Sequence, residues 1–402
     1  MIYLDNAATT MIAPEVLEAM MPYLTTEYGN AGAIYGFGLK AAAAVRKARK
    51  QVADLIGAKP ENIIFTSGAS EANSMVFYGL KEHLVNSGKT NILLSETEHD
   101  SVLNAAKSMC IKDGFGVHFL RTESDGTVDY VDLLDKISTK NLGLASVMYV
   151  NNEVGSINPV HEIADVCIAK NVLFHTDCTQ AVDTMEIDVD EIGCDFLTFS
   201  SHKLHGPKGV GVLYVRNKDL LNPIIFGGSV QEFGLRGGTE NVAGIVGLGK
   251  ACELIRLERD NINEKLIRLN GKFQDLLLKK VKDVASGITI VPYGDVNFEA
   301  IFEDKQSPKI VNFYIEGIDA ETLLLMLNAR GICVSAGSAC CSHESRPSHV
   351  LKAMGLSDEQ ARSSIRVSFS QYNTLEEIDE TTTAIAECVK EIPKLAWRCE
   401  NG

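Results

Sequence analysis

The chain has 402 residues, 45% of them hydrophobic, and a formal charge of −15 at pH 7. That length and apolar content predict a soluble globular protein of about two domains, and the acidic balance argues against nucleic acid or an anionic membrane surface as partner, since either needs a basic face. No run approaches the roughly 18 consecutive apolar residues of a membrane span, and Met1-Ile2-Tyr3-Leu4-Asp5-Asn6 lacks the basic and apolar regions of a secretory leader, so a cytoplasmic location is expected.

Short apolar runs alternate with helical patterns from Val16 to about Gly249, the sequence form of a mostly parallel sheet covered on both faces. Buried strands are predicted over Asn62–Thr66, Asn91–Ser95, Gly143–Val150, Val172–His175 and Phe196–Ser200. Ser67-Gly68-Ala69-Ser70 follows the first of them and opens a helix from Glu71 to Glu82, a plausible phosphate cup because a helix start presents unpaired N–H groups. From Asn241 to Val284 the charge and periodicity predict a long connecting helix or a pair. Lys309–Ile315, Gly331–Ser335 and Ile365–Ser370 then read as strands among helices at Ala320–Asn328 and Leu375–Lys390, with Pro292–Pro308 the most loop-like stretch. Pro347 suits the first turn of a helix carrying Val350, Leu351 and Met354. The expected fold is α/β, with a large mostly parallel-sheet domain over 16–255 and a smaller α+β domain made of 1–15 and 256–402.

Several clusters carry chemistry. Lys203, in Ser200-Ser201-His202-Lys203-Leu204-His205-Gly206, could form a Schiff base, and Asp177, one strand upstream, could keep a pyridine nitrogen protonated; together these are what pyridoxal phosphate requires. A lone lysine after a strand is more often a solvated surface group, and Asp177 with His175 and Gln180 could equally stabilise a strand-end turn. His99 could stack on a cofactor ring or be structural. Cys340, in Ser338-Ala339-Cys340-Cys341-Ser342-His343, lies among small polar residues, the setting of a reactive thiol rather than a packing one. The ten cysteines show no CxxC pair and no zinc-site spacing, so no metal is expected. Arg366, in a β-like run, needs an anion, and either a substrate carboxylate or a protein carboxylate would serve.

Taken in order, Tyr3-Leu4-Asp5-Asn6-Ala7-Ala8-Thr9-Thr10, Phe65 to Asn73, Asn151-Asn152-Glu153-Val154-Gly155, the Asp177 and Lys203 motifs, Gly234 to Asn241 and Ser338-Ala339-Cys340 resemble the cysteine desulfurases of the nitrogen-fixation and iron–sulfur-cluster type, in the class V aminotransferase group of fold-type I pyridoxal phosphate enzymes. The resemblance implies that Lys203 is the Schiff-base lysine, that Asp177 meets the pyridine nitrogen, that Asn152 and Gln180 meet the ring hydroxyl, and that His99 stacks on the ring. It implies a phosphate held by Ala69, Ser70, Ser200 and His202, with Thr239 reaching in from the other subunit of a homodimer. L-cysteine would be held by Asn30, Asn152 and Arg366, and Cys340 would take its sulfur as a persulfide, leaving L-alanine and passing the sulfur to an acceptor protein such as an iron–sulfur scaffold. Departures occur at Ala31-Gly32-Ala33-Ile34-Tyr35, Gly228-Ser229-Val230, Ser370 and Cys341, and none removes a catalytic group. A selenocysteine lyase, an aminotransferase or a non-catalytic scaffold of the same fold are the rival readings.

Overall fold

The computed structural model describes residues 1–139, 141–282, 284–285, 287–291, 305–336 and 347–401, for the last nine of which only the backbone is described. Thirteen strands are described: β1 (Ile2–Tyr3), β2 (Ile63–Thr66), β3 (Asn91–Ser95), β4 (Gly116–Leu120), β5 (Leu142–Ser146), β6 (Leu173–Asp177), β7 (Phe196–Ser200), β8 (Gly211–Val215), β9 (Ile288–Val291), β10 (Ile310–Ile315), β11 (Ile332–Cys333), β12 (Ser335–Ala336) and β13 (Ser364–Ser368).

Seven of them form the large sheet, in the order β2-β8-β7-β6-β5-β3-β4. From β7 to β4 every neighbour is parallel, and β8 alone runs against both β7 and β2. The apolar runs of β2, β5, β7 and β8 are buried along their whole length because helices cover both faces. One face packs on the helices Ala69–Asn86 and Asp100–Asp113 through Phe77, Leu80, Val102 and Met109; the other continues into the main core. A second sheet, β12-β13-β10-β9, is wholly antiparallel, and β1 pairs with β11.

The segment after Asn241 is one helix, Val242–Val281, and not a pair. At 1.5 Å per residue its 40 residues span about 60 Å, enough to run from the large sheet to the second one. Gly247 and Gly249 let it pass close to its neighbours: a Cβ at Gly249 would lie 2.6 Å from Ala48 Cα, and one at Gly247 would lie 2.6 Å from Met20 Sδ.

Three expectations are corrected. The strand predicted over Gly143–Val150 ends at Ser146, after which the chain turns at Asn151, whose N–H bonds Ser156 O. β1, β4, β8 and β9 have no counterpart among the expected strands. β4 is only partly buried, and β8 begins at the last glycine of Gly206-Pro207-Lys208-Gly209-Val210-Gly211, a stretch without a strand-like start. Pro347 precedes the N-cap rather than filling the first turn: Ser348 caps the helix His349–Ala353, accepting from Leu351 N. Among the described residues no helix is long and apolar enough to cross a membrane.

Candidate active site

The carboxyl ends of β5, β6 and β7 open toward the second sheet, where ligands of open α/β sheets bind. Lys203 closes the 3-10 turn Ser201–Lys203 that follows β7. Its Nζ donates to Ala7 O at 2.6 Å and Ala8 O at 2.7 Å, so the N-terminal segment crosses the site and holds the amine. Burial, helped by the cations of Arg366 and Lys309 and opposed by Asp5 and Asp177, pulls its pKa down to about 8.

Asp177, the last residue of β6, is 4% exposed. Its Oδ1 accepts from Thr179 N and its Oδ2 from Asn73 Nδ2, each at 2.9 Å. Asn73 also donates to Ser101 Oγ at 2.9 Å and accepts from Thr198 Oγ1 at 2.6 Å. His99 caps the helix Asp100–Asp113, its Nδ1 lying 2.8 Å from Ser101 Oγ, so a hydrogen-bonded path runs from His99 through Ser101 and Asn73 to Asp177. His175 sits beneath this path between Ser146 and Thr198, fully buried, and burial holds its pKa near 4.

Gln180 donates to Ala7 O at 2.8 Å, while its Oε1 is buried with no partner. Such an orphaned acceptor is costly unless a donor is supplied. Asn152 lies on the turn after β5 and lends its carbonyl to Arg366 Nη1 at 2.9 Å. Ala69 and Ser70 occupy the first turn of their helix, and the Gly68 that precedes them packs toward Ser200: a Cβ at Gly68 would lie 3.6 Å from Ser200 Oγ. This approach depends on Gly211, where an added Cβ would meet Gly68 Cα at 2.6 Å. His202 Nδ1 contacts Thr9 Oγ1 at 3.1 Å, and burial, with the nearby lysines, lowers its pKa to about 4.

Arg366 meets a protein carboxylate: Nη2 pairs with Asp5 Oδ1 at 2.8 Å, and Nε is buried without a partner. Asn30 is exposed, and its Oδ1 accepts from Gly32 N in a local turn. Thr239 is also exposed, three residues beyond Arg236, which pairs with Glu71. Cys340 and Cys341 lie outside the described residues. The chain enters that stretch from β12, whose Ser335 pairs with Arg366, and re-emerges at Pro347, next to Ser348, which donates to Glu153 Oε2 at 2.5 Å.

Four side chains, Asn73, Ser101, Thr198 and Lys309, and two carbonyls, of Ala7 and Ala8, escaped the sequence reading. Asn73 stands in a motif already noted. A backbone carbonyl leaves no sequence signal.

The aminotransferase class-V family matches residues 2–381. The chain belongs to that family. A relative named cysteine desulfurase IscS, from Dictyoglomus turgidum, is 39% identical over 391 residues, 97% of this class-V chain and 95% of its own. Among solved structures, one described as a NIFS-like protein superposes with a TM-score of 0.85 at 32% identity, covering 98% of this chain and 99% of that one. SspA in complex with cysteine superposes with a TM-score of 0.78 at 33% identity, covering 93% and 100%.

Proposed function

We propose that the protein is a pyridoxal-phosphate-dependent cysteine desulfurase that converts L-cysteine to L-alanine and hands the sulfur on from a persulfide at Cys340. The observation that carries this reading is the convergence of a half-buried amine of lowered proton affinity, Lys203, with a buried carboxylate, Asp177, at the ends of adjacent parallel strands. The near-full-length relative named cysteine desulfurase and the solved relative bound to cysteine give it its substrate.

The residues present fit pyridoxal phosphate. The orphaned Gln180 Oε1 together with Asn152 suits a ring hydroxyl, and Asp177 suits the protonated ring nitrogen. Ala69, Ser70, Ser200 and His202 suit the phosphate, at a helix start kept open by Gly68 and Gly211. When bound, the cofactor supplies an electron sink that stabilises negative charge at the substrate Cα. Asp177, clamped by Asn73 and Thr179, holds the proton on the ring nitrogen. His99, tied to the same clamp through Ser101, would stack on the ring. Lys203 would hold the cofactor through its amine and would move the proton at the substrate Cα. Arg366 takes the substrate carboxylate on its unpartnered edge, and Asn30 lines the entrance. The Cys340 thiolate attacks the substrate sulfur; an S–S bond forms, the Cβ–S bond breaks with its electron pair left on carbon, and Cβ takes up one proton. The sulfur then passes to an acceptor protein.

A homodimer completes each phosphate site with Thr239. The exposure of Thr239, and of Phe226 and Val230 on the segment leading to it, supports a surface that a second subunit covers. The seven cysteines whose side chains are described are all free thiols, which supports a reducing compartment such as the cytoplasm.

With L-cysteine and a reductant, alanine and sulfide are expected in equal amounts. An oxo-acid product would instead mark a transaminase. The purified protein is expected to be yellow and Lys203→Ala to lose turnover; a folded protein that stays colourless after addition of pyridoxal phosphate would overturn the reading.

A further inference from the structure

Lys309 is 1% exposed, an unusual place for a lysine, and the reaction outlined above makes no use of it. It stands just before β10, in the second sheet, yet its Nζ reaches into the large domain. There it donates to Asp183 Oδ2 at 2.5 Å and to the backbone carbonyl of Lys203 at 3.0 Å. Asp183 is itself buried and follows β6. Three segments that meet only in the folded chain are thus joined at one ammonium: the turn after β6, the turn after β7 and the residue before β10.

A buried ion pair of this kind is a poor source of stability, because removing both ions from water costs about as much as their attraction returns. A domain staple would be made as well by apolar side chains. What apolar side chains could not supply is a fixed positive charge and a donor for the carbonyl of the very residue whose amine must react.

We propose that Lys309, anchored by Asp183, is a positioning residue for Lys203: it holds the lysine's backbone and biases its amine toward the neutral, nucleophilic form. The groups facing that amine are Asp5 and the carbonyls of Ala7 and Ala8 from the N-terminal segment, Asp177 from β6, Arg366 from β13 and Lys309 from the start of β10. The two carboxylates favour the ammonium form. The two cations oppose it, and Lys309 is the one that also touches the Lys203 main chain. The lowered proton affinity of Lys203 accords with this balance.

The inference rests on Lys203 as the cofactor lysine, so its test begins on protein freed of cofactor, where the amine itself is read. Competitive acetylation across a pH series, with Lys203 followed by peptide mass spectrometry, gives the midpoint for that side chain. In Lys309→Met the midpoint is expected to rise by about one pH unit, and incorporation of added pyridoxal phosphate at neutral pH to slow about tenfold in step. Lys309→Arg keeps the charge and is expected to keep the midpoint. Because Lys309→Met leaves Asp183 buried and unpaired, the double variant Asp183→Leu/Lys309→Met provides a folded background with the pair replaced by apolar groups, and it is expected to show the same rise. A folded single or double variant with an unmoved midpoint would overturn the proposal and leave Lys309 a staple between domains. Loss of folding in both would overturn it too, by making the pair a requirement of the fold. Failure of the wild-type protein to take up cofactor would count against the proposed function alone, since the acetylation midpoint is read without it.

Discussion

Asn73 commits its whole amide to the site: two N–H bonds, to Asp177 and Ser101, and one accepted from Thr198. Removing it leaves a buried carboxylate oxygen and a buried hydroxyl short of partners, at about 1–3 kcal/mol. Asn73→Ala is therefore expected to raise the dissociation constant for pyridoxal phosphate about tenfold, measured by fluorescence titration of the apoprotein, with a smaller change in thermal stability. An unchanged constant would mean that Thr179 alone fixes Asp177. Glu98 offers a second test at this scale. It is fully buried beneath the site, one oxygen accepts from Met148 N at 2.6 Å and the other has no partner. Burial first, and then the charge of Asp177, push its pKa well above the ordinary range, while the Met148 hydrogen bond works the other way. A folded-state value above the unfolded one means stability is fully present below about pH 4.3, the unfolded value, and is lost as pH rises toward the folded value. Glu98→Gln is expected to flatten that decline, read as urea midpoints over a pH series from acid to mildly alkaline. A slope identical to the parent's would assign the decline to another group.

At the scale of elements, the approach of the strand ends to the start of the helix Ala69–Asn86 depends on side chains that are missing. Gly211 opens β8, and a methyl group there would meet Gly68 Cα at 2.6 Å and Phe199 O at 2.9 Å. Both obstacles are backbone, so the loop before the helix must move. Gly211→Ala is expected to cost about 1–3 kcal/mol of stability, as overpacking does, and to weaken phosphate binding, seen as a larger loss of affinity for pyridoxal phosphate than for pyridoxal, which lacks the phosphate. Wild-type affinity in a folded variant would show that Ser70 and Ser200 need not approach so closely. These elements were partly legible in the sequence. Asn91–Ser95 and Phe196–Ser200 coincide with β3 and β7 because strands buried on both faces leave continuous apolar runs. β4 has a half-buried pattern and β8 a glycine at its first position, so neither leaves that signature.

For the whole molecule, the proposed second subunit gives a test that needs no structure of the dimer. Lys203→Ala and Thr239→Ala subunits, mixed under conditions that allow exchange, are expected to form heterodimers with one site carrying both lesions and one carrying neither. Recovery of up to about a quarter of the parent activity follows from random pairing, since half the dimers are mixed and each has one intact site out of two. No recovery despite proven exchange would place Thr239 in its own chain's site. Within one chain, the same crossing of distant segments is already complete: Asp5 reaches Arg366 across 361 residues, and Ala7 and Ala8 reach Lys203 across nearly 200.

The residue types and their order along the chain, from Tyr3-Leu4-Asp5-Asn6 through Asp177 and Lys203 to Arg366, were enough to indicate the family and the alternation of strands and helices. Both follow from local pattern, because a strand's burial and a motif's chemistry are written in consecutive residues. Which partner each charge takes was not. Arg366 by itself left open a ligand or a protein carboxylate, the protein carboxylate being the commoner case, and folding brought Asp5 to it. Lys309 read only as the first residue of a strand, and folding buried its ammonium between Asp183 and the carbonyl of Lys203. Ion pairs and bonds to backbone carbonyls are chosen by distance in space, so tertiary structure alone could decide them.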